Sequence, residues 1–233
     1  MKTYENRLSG STYPGRGIVI GGTPDGAGIM QVYWIMGRSE NSRNRVFEES
    51  DGFIRTRAFD EALMKDPSLI IYFPMKHAGN DHIVSNGDQT DTIFEYISKG
   101  RSFEEALGTR EFEPDPPNYT PRISGIANPS EKGFRLSILK TVDNDPGRGV
   151  RIFYNYDYMP SGYGYCMTTY DDDGSPLPSF HTEPYAVGLF NDIDAAAESF
   201  WNLLDAGNRV SLAVKLIDKK TGSFRIKIIN KNK

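Results

Sequence analysis

The sequence has 233 residues, 38% of them hydrophobic and 25% charged, and a formal net charge of −4. Its length suits one large or two small domains, and a negative chain lacks the basic face of most nucleic-acid-binding proteins. A single cysteine excludes an internal disulfide framework and a cysteine-rich metal site. There is no signal-peptide core near Met1 and no apolar run of membrane-spanning length. The expectation is therefore a soluble cytoplasmic protein that binds no membrane.

The first strands of the chain are predicted to form a hairpin. Residues 1–12 are polar and are interpreted as an N-terminal extension, whereas residues 13–233 contain no linker and are interpreted as a single domain. Ile18–Gly21 is a short apolar run, and Thr23-Pro24-Asp25-Gly26 supplies the proline and glycine of a tight turn. Gly28–Met36 then pairs back as a second strand.

An arginine-rich stretch, Gly37–Arg45, follows the second strand. Three arginines stand there among short hydrogen-bonding residues, and the guanidinium fork fits phosphate and carboxylate oxygens two at a time. The stretch is a candidate anion site at the end of a buried strand. The alternative is a solvated loop with ordinary surface arginines. A further hairpin is predicted over Arg45–Thr56, around Ser50-Asp51-Gly52.

A second candidate anion site follows the next predicted strands. Ser68–Pro74 and His82–Ser85 are rich in β-forming residues, and the latter ends at Asn86-Gly87. Thr92 and Glu95 have the spacing of a capping box, which predicts a helix that begins there. A strand, a turn and a helix in succession leave free backbone N–H groups at the helix N-terminus, where anions bind.

Strands dominate the second half of the chain. A capping box at Ser102 and Glu105 predicts a short helix, and four prolines predict an irregular loop over Glu111–Pro121. A cap at Asp194 predicts a helix that runs to Leu204. The predicted strands after the loop are 134–142, 149–157, 162–170, 210–218 and 223–230. Such meanders with few helices predict an α+β fold of antiparallel sheets with helices outside.

The sequence offers no motif for a catalytic nucleophile. A Gly-x-Ser-x-Gly elbow, a P-loop and a Gly-x-Gly-x-x-Gly turn are all lacking. The histidines lack metal-ligand spacing, and Cys166 suits a buried strand. Asp171–Gly174 is interpreted as a solvated turn rather than a calcium loop, because it lacks the later glutamate of an EF-hand. The remaining polar residues favour binding of an anionic ligand and proton transfer by a carboxylate.

A series of short motifs runs through residues 13–123. The two most specific are Ser85-Asn86-Gly87-x-x-Thr90-Asp91-Thr92-Ile93 and Thr120-Pro121-Arg122-Ile123. The others are Tyr13-Pro14-Gly15-Arg16, Gly37-Arg38-Ser39 running to Asn44-Arg45, Tyr72 closing a predicted strand, and Phe112-Glu113-x-Asp115. In order and approximate spacing the series resembles the archaeal-type IMP cyclohydrolases and their bacterial relatives. Beyond residue 130 the resemblance rests on the pattern of elements.

The resemblance implies a fold and a reaction. The fold is a four-layer α/β/β/α sandwich of mostly antiparallel sheets, like that of the N-terminal-nucleophile hydrolases but without their self-processing nucleophile. In the reaction, the carboxamide nitrogen of 5-formamidoimidazole-4-carboxamide ribonucleotide attacks its own formyl carbon, and water leaves to give IMP. No metal or cofactor is implied. The expected partner is a small purine ribonucleotide, with no nucleic acid, and the expected assembly is a homo-oligomer.

The resemblance also implies catalytic residues. Arg45, Tyr72 and Glu113 match the family's active-site arginine, tyrosine and glutamate. Glu113 would move protons, while Tyr72 and Arg45 would hold the formyl oxygen. Each residue also has an alternative role. Glu113 would be a loop carboxylate paired with Arg122, Tyr72 would be a core tyrosine, and Arg45 would pair with a neighbouring glutamate. The candidate substrate-binding residues are Arg16, Arg38, Asn86, Gly87, Asp91, Thr92, Asn118 and Arg122.

Two other functions stay open from the sequence. The chain departs from the archaeal pattern by an insertion at Asp143–Arg148 and by Tyr119 in the loop after Glu113. These departures leave room for a purine-nucleotide-binding protein without turnover. An amide hydrolase of the N-terminal-nucleophile type would require a cleaved chain that begins at Ser, Thr or Cys.

Overall fold

Two antiparallel β-sheets form the framework of the described chain. The computed structural model describes residues 3–64, 67 and 69–232. In that part of the chain the strands are β1 (Gly17–Gly22), β2 (Gly28–Met36), β3 (Arg45–Ser50), β4 (Phe53–Ala58), β5 (Met75–Ala78), β6 (Asp81–Ser85), β7 (Arg122–Ala127), β8 (Phe134–Val142), β9 (Asp145–Tyr156), β10 (Tyr163–Thr168), β11 (Tyr185–Gly188), β12 (Arg209–Asp218) and β13 (Phe224–Asn230). The α-helices there are α1 (Glu5–Ser9), α2 (Glu40–Arg43), α3 (Gln89–Ser98), α4 (Phe103–Gly108) and α5 (Ile193–Leu203), and Glu61–Leu63 forms a 3₁₀ turn.

The two sheets differ in how the chain builds them. The second sheet, β3-β4-β5-β6-β7-β8-β9, is a meander in which every strand pairs with its neighbour in sequence. The first sheet has the order β11-β10-β1-β2-β12-β13, so the β1–β2 hairpin lies between strands from the C-terminal third. All nine residues of β2 are buried. The α+β prediction with antiparallel sheets is confirmed.

The outer face of the first sheet is covered by α5. Trp34 of β2 stacks on Phe200 of α5, with ring centroids 6.5 Å apart. Gln31 of β2 instead donates to the carbonyl of His82 in the second sheet, at 2.9 Å. Because side chains alternate along a strand, α5 and the second sheet lie on opposite faces of the first.

The second sheet is arranged in the same way. Val84 of β6 packs into the core between the sheets, whereas its neighbour Ile83 packs with Ile93 of α3 and Phe103 of α4. The two helices therefore lie on the far face of the second sheet. The described layers run helix, sheet, sheet, helix.

Both predicted N-terminal hairpins are confirmed, because their turns have the required chemistry. The β1–β2 turn contains Gly26 with a φ of 72°, and the β3–β4 turn contains Asp51 and Gly52 with φ of 55° and 77°. The irregular loop over Glu111–Pro121 and the capping box at Ser102 are also confirmed.

The strand predicted over Ser68–Pro74 is wrong for residues 69–74, which form turns and irregular backbone; Ser68 lies outside the described residues. Here a side chain replaces part of the β-ladder. The N–H of Tyr72 donates to the hydroxyl of Thr56 at 2.8 Å, and the N–H of Thr56 donates to the carbonyl of Tyr72 at 2.9 Å. Tyr72 therefore does not close a strand.

Two predicted helix starts are also wrong. The helix assigned to Thr92 begins at Gln89, so Thr92 and Glu95 are interior residues and form no capping box. The helix assigned to Asp194 is capped two residues earlier, where Asp192 accepts from the N–H of Ala195 at 2.8 Å. In each case a polar residue within the first turn resembles a cap in the sequence.

Residues 3–12 are held against the body of the fold. Leu8 of α1 is fully buried in the main core. The N–H of Tyr4 donates to the carbonyl of Ala186, and the Glu5 carboxylate accepts from the N–H of Gly188 at 2.6 Å. Among the described residues, no helix is long and apolar enough to cross a membrane.

Candidate active site

Arg45, the first residue of β3, is a buried arginine with a spare donor. Its side chain is 1% exposed. Nε donates to the carbonyl of Ser42 at 2.8 Å, and Nη2 donates to the carbonyl of Met36 at 3.4 Å. Nη1 is buried without a hydrogen-bond partner in the described chain. The site therefore presents a cationic N–H that backbone carbonyls orient and that is left available for another acceptor.

Tyr72 is held beside this arginine by a second tyrosine. The hydroxyls of Tyr72 and Tyr33 are 2.7 Å apart, and both side chains are buried. Tyr33 projects from β2 of the first sheet, whereas Thr56 of the second sheet holds the backbone of Tyr72. The phenol of Tyr72 is thus fixed between the sheets.

Glu113 brings a carboxylate from the irregular loop into the same space. It is 1% exposed, and its N–H donates to the carbonyl of Thr120 at 2.9 Å. Burial raises the pKa of Glu113, and the positive charges of Arg16 and Arg122 oppose that rise. A carboxyl group whose pKa is moved toward neutrality suits proton transfer.

Arg16 forms the ion pair of the site. Its Nη2 lies 3.7 Å from Oε2 of Glu113, and the side chains are 11% and 2% exposed. Burial works to lower the pKa of Arg16, but Glu113 and the phenol of Tyr72 outweigh it and raise the pKa. Burial lowers the pKa of Arg45, with Tyr72 opposing and Arg16 adding to the effect. These mutual influences show that Arg16, Arg45, Tyr72 and Glu113 converge; we call them the buried site.

The rim of the buried site is aromatic. The ring of Tyr13 stacks on that of Tyr170 at 6.1 Å, and the hydroxyl of Tyr170 lies 2.5 Å from that of Thr120. The guanidinium of Arg38 lies 5.0 Å from the centre of the Tyr13 ring and forms an ion pair of 2.5 Å with Asp173. Arg38 is therefore an exposed cation next to the buried site.

A buried turn between β6 and α3 lies on the other side of Glu113. The amide of Asn86 accepts from the N–H of Ile123 at 2.8 Å and donates to the carbonyl of Pro121 at 2.9 Å. A Cβ on Gly87 would lie 2.5 Å from Nη1 of Arg122, so a larger residue here would displace the guanidinium. Arg122 donates to Asp88 at 2.6 Å.

Comparison with known proteins gives the family. The family model of the IMP cyclohydrolase-like proteins matches residues 13–221. The chain belongs to this family. A curated relative, the IMP cyclohydrolase of Haloquadratum walsbyi, is 31% identical over 122 residues, which cover 51% of this chain and 58% of the relative.

Two of the predicted binding residues of this IMP cyclohydrolase-like protein have partners outside the buried site. Asp91 forms an ion pair of 2.5 Å with Lys76, and Thr92 is half-buried on α3. The amide oxygen of Asn118 accepts from the N–H of Leu177 at 3.1 Å. The structure thus gathers Arg16, Arg45, Tyr72 and Glu113, with Arg122 acting on Glu113 by its charge, and Arg38 at the rim.

Tyr33 and Tyr170, two residues next to the buried site, were not identified from the sequence. Tyr33 stands in an apolar run and was indistinguishable from a core tyrosine, and Tyr170 is the last residue of a predicted strand. One signal was present for Tyr33. It stands two residues after Gln31 in a strand that is otherwise almost wholly apolar, and alternation places both polar groups on one face.

Proposed function

We propose that the protein is an IMP cyclohydrolase that closes the ring of 5-formamidoimidazole-4-carboxamide ribonucleotide to IMP. The carboxamide nitrogen forms a bond to the formyl carbon, and the formyl oxygen leaves as water with one proton from each nitrogen. The single observation that carries the proposal is the convergence of Arg45, Tyr72 and Glu113 in a family member. The chain spans 58% of the length of the archaeal relative that it matches.

Glu113 is proposed as the group that moves protons. Its carboxylate would take a proton as the carboxamide nitrogen attacks and return one as the hydroxyl departs. Arg16, 3.7 Å away, opposes the rise in the pKa of Glu113 that burial causes. A positioned acid–base group of this kind contributes roughly 10²–10⁴-fold to a rate.

Arg45 and Tyr72 are proposed to stabilise the charge on the formyl oxygen. The unpartnered Nη1 of Arg45 supplies a donor, and Tyr33 can donate to Tyr72 so that the Tyr72 proton points to the substrate. Donors fixed before the reaction need no reorganisation as charge develops. With Arg45, Tyr72 and Glu113 only 1–4% exposed, the site also excludes bulk water, which suits a reaction that expels water.

The phosphate and ribose contacts are proposed around the buried site. Arg38 at the rim and Arg122 beside Gly87 are candidate phosphate ligands, since arginine binds phosphate bidentately. Each would exchange an aspartate partner for the phosphate. Roles of Arg16, Asn86, Asp91, Thr92 and Asn118 in substrate binding stay predictions.

The proposal extends to the domain organisation and the fold type of the protein. We propose that residues 13–233 form one catalytic domain, with residues 1–12 as an N-terminal extension, and that the fold is of the N-terminal-nucleophile hydrolase type. The layer order of helix, sheet, sheet, helix supports that fold. A cytoplasmic location and a homo-oligomeric assembly stay predictions.

Incubation with the formylated ribonucleotide, followed by IMP absorbance, tests the proposed function. We expect IMP to form faster than in buffer and calorimetry to show saturable IMP binding. Saturable binding with no turnover would instead indicate a purine-nucleotide-binding protein. The absence of both would contradict the proposal.

A further inference from the structure

Lys215 is a buried lysine that the proposed reaction does not use. It lies in the middle of β12, directly opposite Gln31 of β2, and its exposed fraction is 0%. Its Nζ has no hydrogen-bond partner in the described part of the chain. A buried ammonium without a paired anion is unfavourable by several kcal/mol, so such a lysine calls for an explanation.

The groups around Lys215 are polar and unpartnered as well. His82 is 1% exposed, and neither of its ring nitrogens has a hydrogen-bond partner among the described residues; the same holds for Oε1 of Gln31. The ring of Phe224 links the group: its centre lies 3.8 Å from Nζ of Lys215 and 5.6 Å from the centre of the His82 ring. His77 stands across the strand from His82, at 5.7 Å between ring centres.

The amine of Lys215 is close to neutral at physiological pH. Burial lowers the pKa of Lys215 to about 7, and the exposed carboxylate of Glu49 opposes that change only weakly. Burial and the charge of Lys215 lower the pKa of His82 to about 3, and the same two causes lower the pKa of His77. These are the titratable groups that face Lys215 from β3, β5 and β6.

We propose that Lys215 is a modification site that reacts reversibly with carbon dioxide to form a carbamate. Only a small uncharged electrophile can reach an amine that is wholly buried between two sheets. The reaction needs a neutral amine, and at about pH 7.5 the neutral fraction of this lysine exceeds that of an ordinary lysine by roughly 10²–10³-fold.

The chemistry balances in atoms and electrons. The nitrogen lone pair of Lys215 forms a bond to the carbon of CO₂, one C=O π pair moves to oxygen, and the proton lost from nitrogen goes to the buffer. The product is a carbamate anion beside the neutral imidazole of His82. Its N–H can donate to Oε1 of Gln31, and its oxygens can accept from His82, so the unpartnered groups complement it.

The experiment traps the modification on the intact protein. The full chain is equilibrated with ¹³C-labelled bicarbonate at about pH 7.5, and carbamates are alkylated with triethyloxonium added together with urea, so that the charged reagent reaches the buried lysine as the fold opens. The lysines are then analysed by mass spectrometry after digestion with a protease that does not cleave at lysine. We expect Lys215 to carry at least about tenfold more label than Lys227, since the label follows the neutral fraction. Lys227 is exposed and its ion pair with Asp194, at 2.5 Å, raises its pKa.

Two further measurements sharpen the result. The carbamate signal in the ¹³C NMR spectrum should be lost in Lys215→Met and should decay in wild-type protein moved to CO₂-free buffer. If Lys215→Met does not fold, the comparison of Lys215 with Lys227 within the wild-type chain decides alone. Equal labelling of the two lysines would overturn the proposal, which does not depend on the proposed cyclisation.

Discussion

The hydroxyls of Tyr33 and Tyr72 lie 2.7 Å apart between the two sheets. Tyr33 comes from a regular central strand, and Tyr72 comes from an irregular segment that the hydroxyl of Thr56 holds. The rigid strand therefore positions a side chain of the less regular segment. Because a phenol that accepts one hydrogen bond donates its own proton more strongly, Tyr33 also strengthens Tyr72 as a donor.

We expect Tyr33→Phe to lower kcat for IMP formation by roughly fivefold, the equivalent of one neutral hydrogen bond of about 1 kcal/mol. KM should change little, because the hydroxyl touches Tyr72 and not the nucleotide. Steady-state kinetics measures both constants. Tyr158→Phe is the matched control, since its hydroxyl lies 2.9 Å from that of Tyr165 in an exposed pair. Equal kcat values for the two variants would remove Tyr33 from the mechanism.

The pH profile reports the pairing of Arg16 with Glu113. Burial raises the pKa of Glu113 and Arg16 opposes the rise, so Arg16→Met should raise that pKa further. If the carboxylate form starts the reaction, the acid limb of the kcat profile moves to higher pH. Arg57→Met removes an exposed arginine that pairs with Glu48 at 2.7 Å and should leave the limb in place. A limb that moves to lower pH in Arg16→Met would refute the assigned pairing.

Asn86 is expected to stabilise the fold through its amide. Asn86→Ala leaves the buried N–H of Ile123 and the carbonyl of Pro121 unpaired, at about 1–3 kcal/mol each. We predict a loss of roughly 2–5 kcal/mol in the free energy of unfolding by urea. The control Asn128→Ala breaks a half-buried bond to Asp81 and should lose less than about 1 kcal/mol. Unchanged stability with weakened IMP binding would make Asn86 a ligand-binding residue instead.

Lys215 makes the stability of the protein depend on pH. Its pKa is about 7 when folded and near 10.5 when unfolded, so between these values the unfolded chain holds more protons and stability rises with pH. In CO₂-free buffer, Lys215→Met should therefore stabilise the protein most at or below about pH 7, with the gain falling toward pH 10. Urea unfolding at pH 6, 8 and 10 measures this. A gain that is constant over the range would contradict a neutral buried amine.

The local elements were predictable where short-range chemistry determines them. Gly26, Gly52 and the capping box at Ser102 each act within a few residues, so the two N-terminal hairpins and helix α4 were predicted correctly. The strand predicted over Ser68–Pro74 failed for residues 69–74 because Thr56, 16 residues before Tyr72, supplies hydrogen bonds to that segment. The strand order of the first sheet is set by long-range pairing, which no local pattern contains.

The candidate site was predictable only in part. Motifs pointed to Arg45, Tyr72 and Glu113, but composition would place an arginine or a glutamate at the surface, whereas both are 1% exposed. Of the arginine-rich stretch, Arg45 enters the buried site, while Arg43 donates to the carbonyl of Gly37 and to Asn208. Burial of this kind depends on the packing of both sheets.

The rate of IMP formation by Glu113→Gln, compared with wild type and with Glu111→Gln, tests the central claim most directly. Glu111 lies on the same loop with a side chain that is 79% exposed, so its substitution controls for the change of charge in the loop. We predict that Glu113→Gln binds IMP but loses roughly 10²–10⁴-fold in kcat, while Glu111→Gln keeps the wild-type rate. A Glu113→Gln variant with wild-type kcat would contradict the assignment of the carboxylate as the group that moves protons.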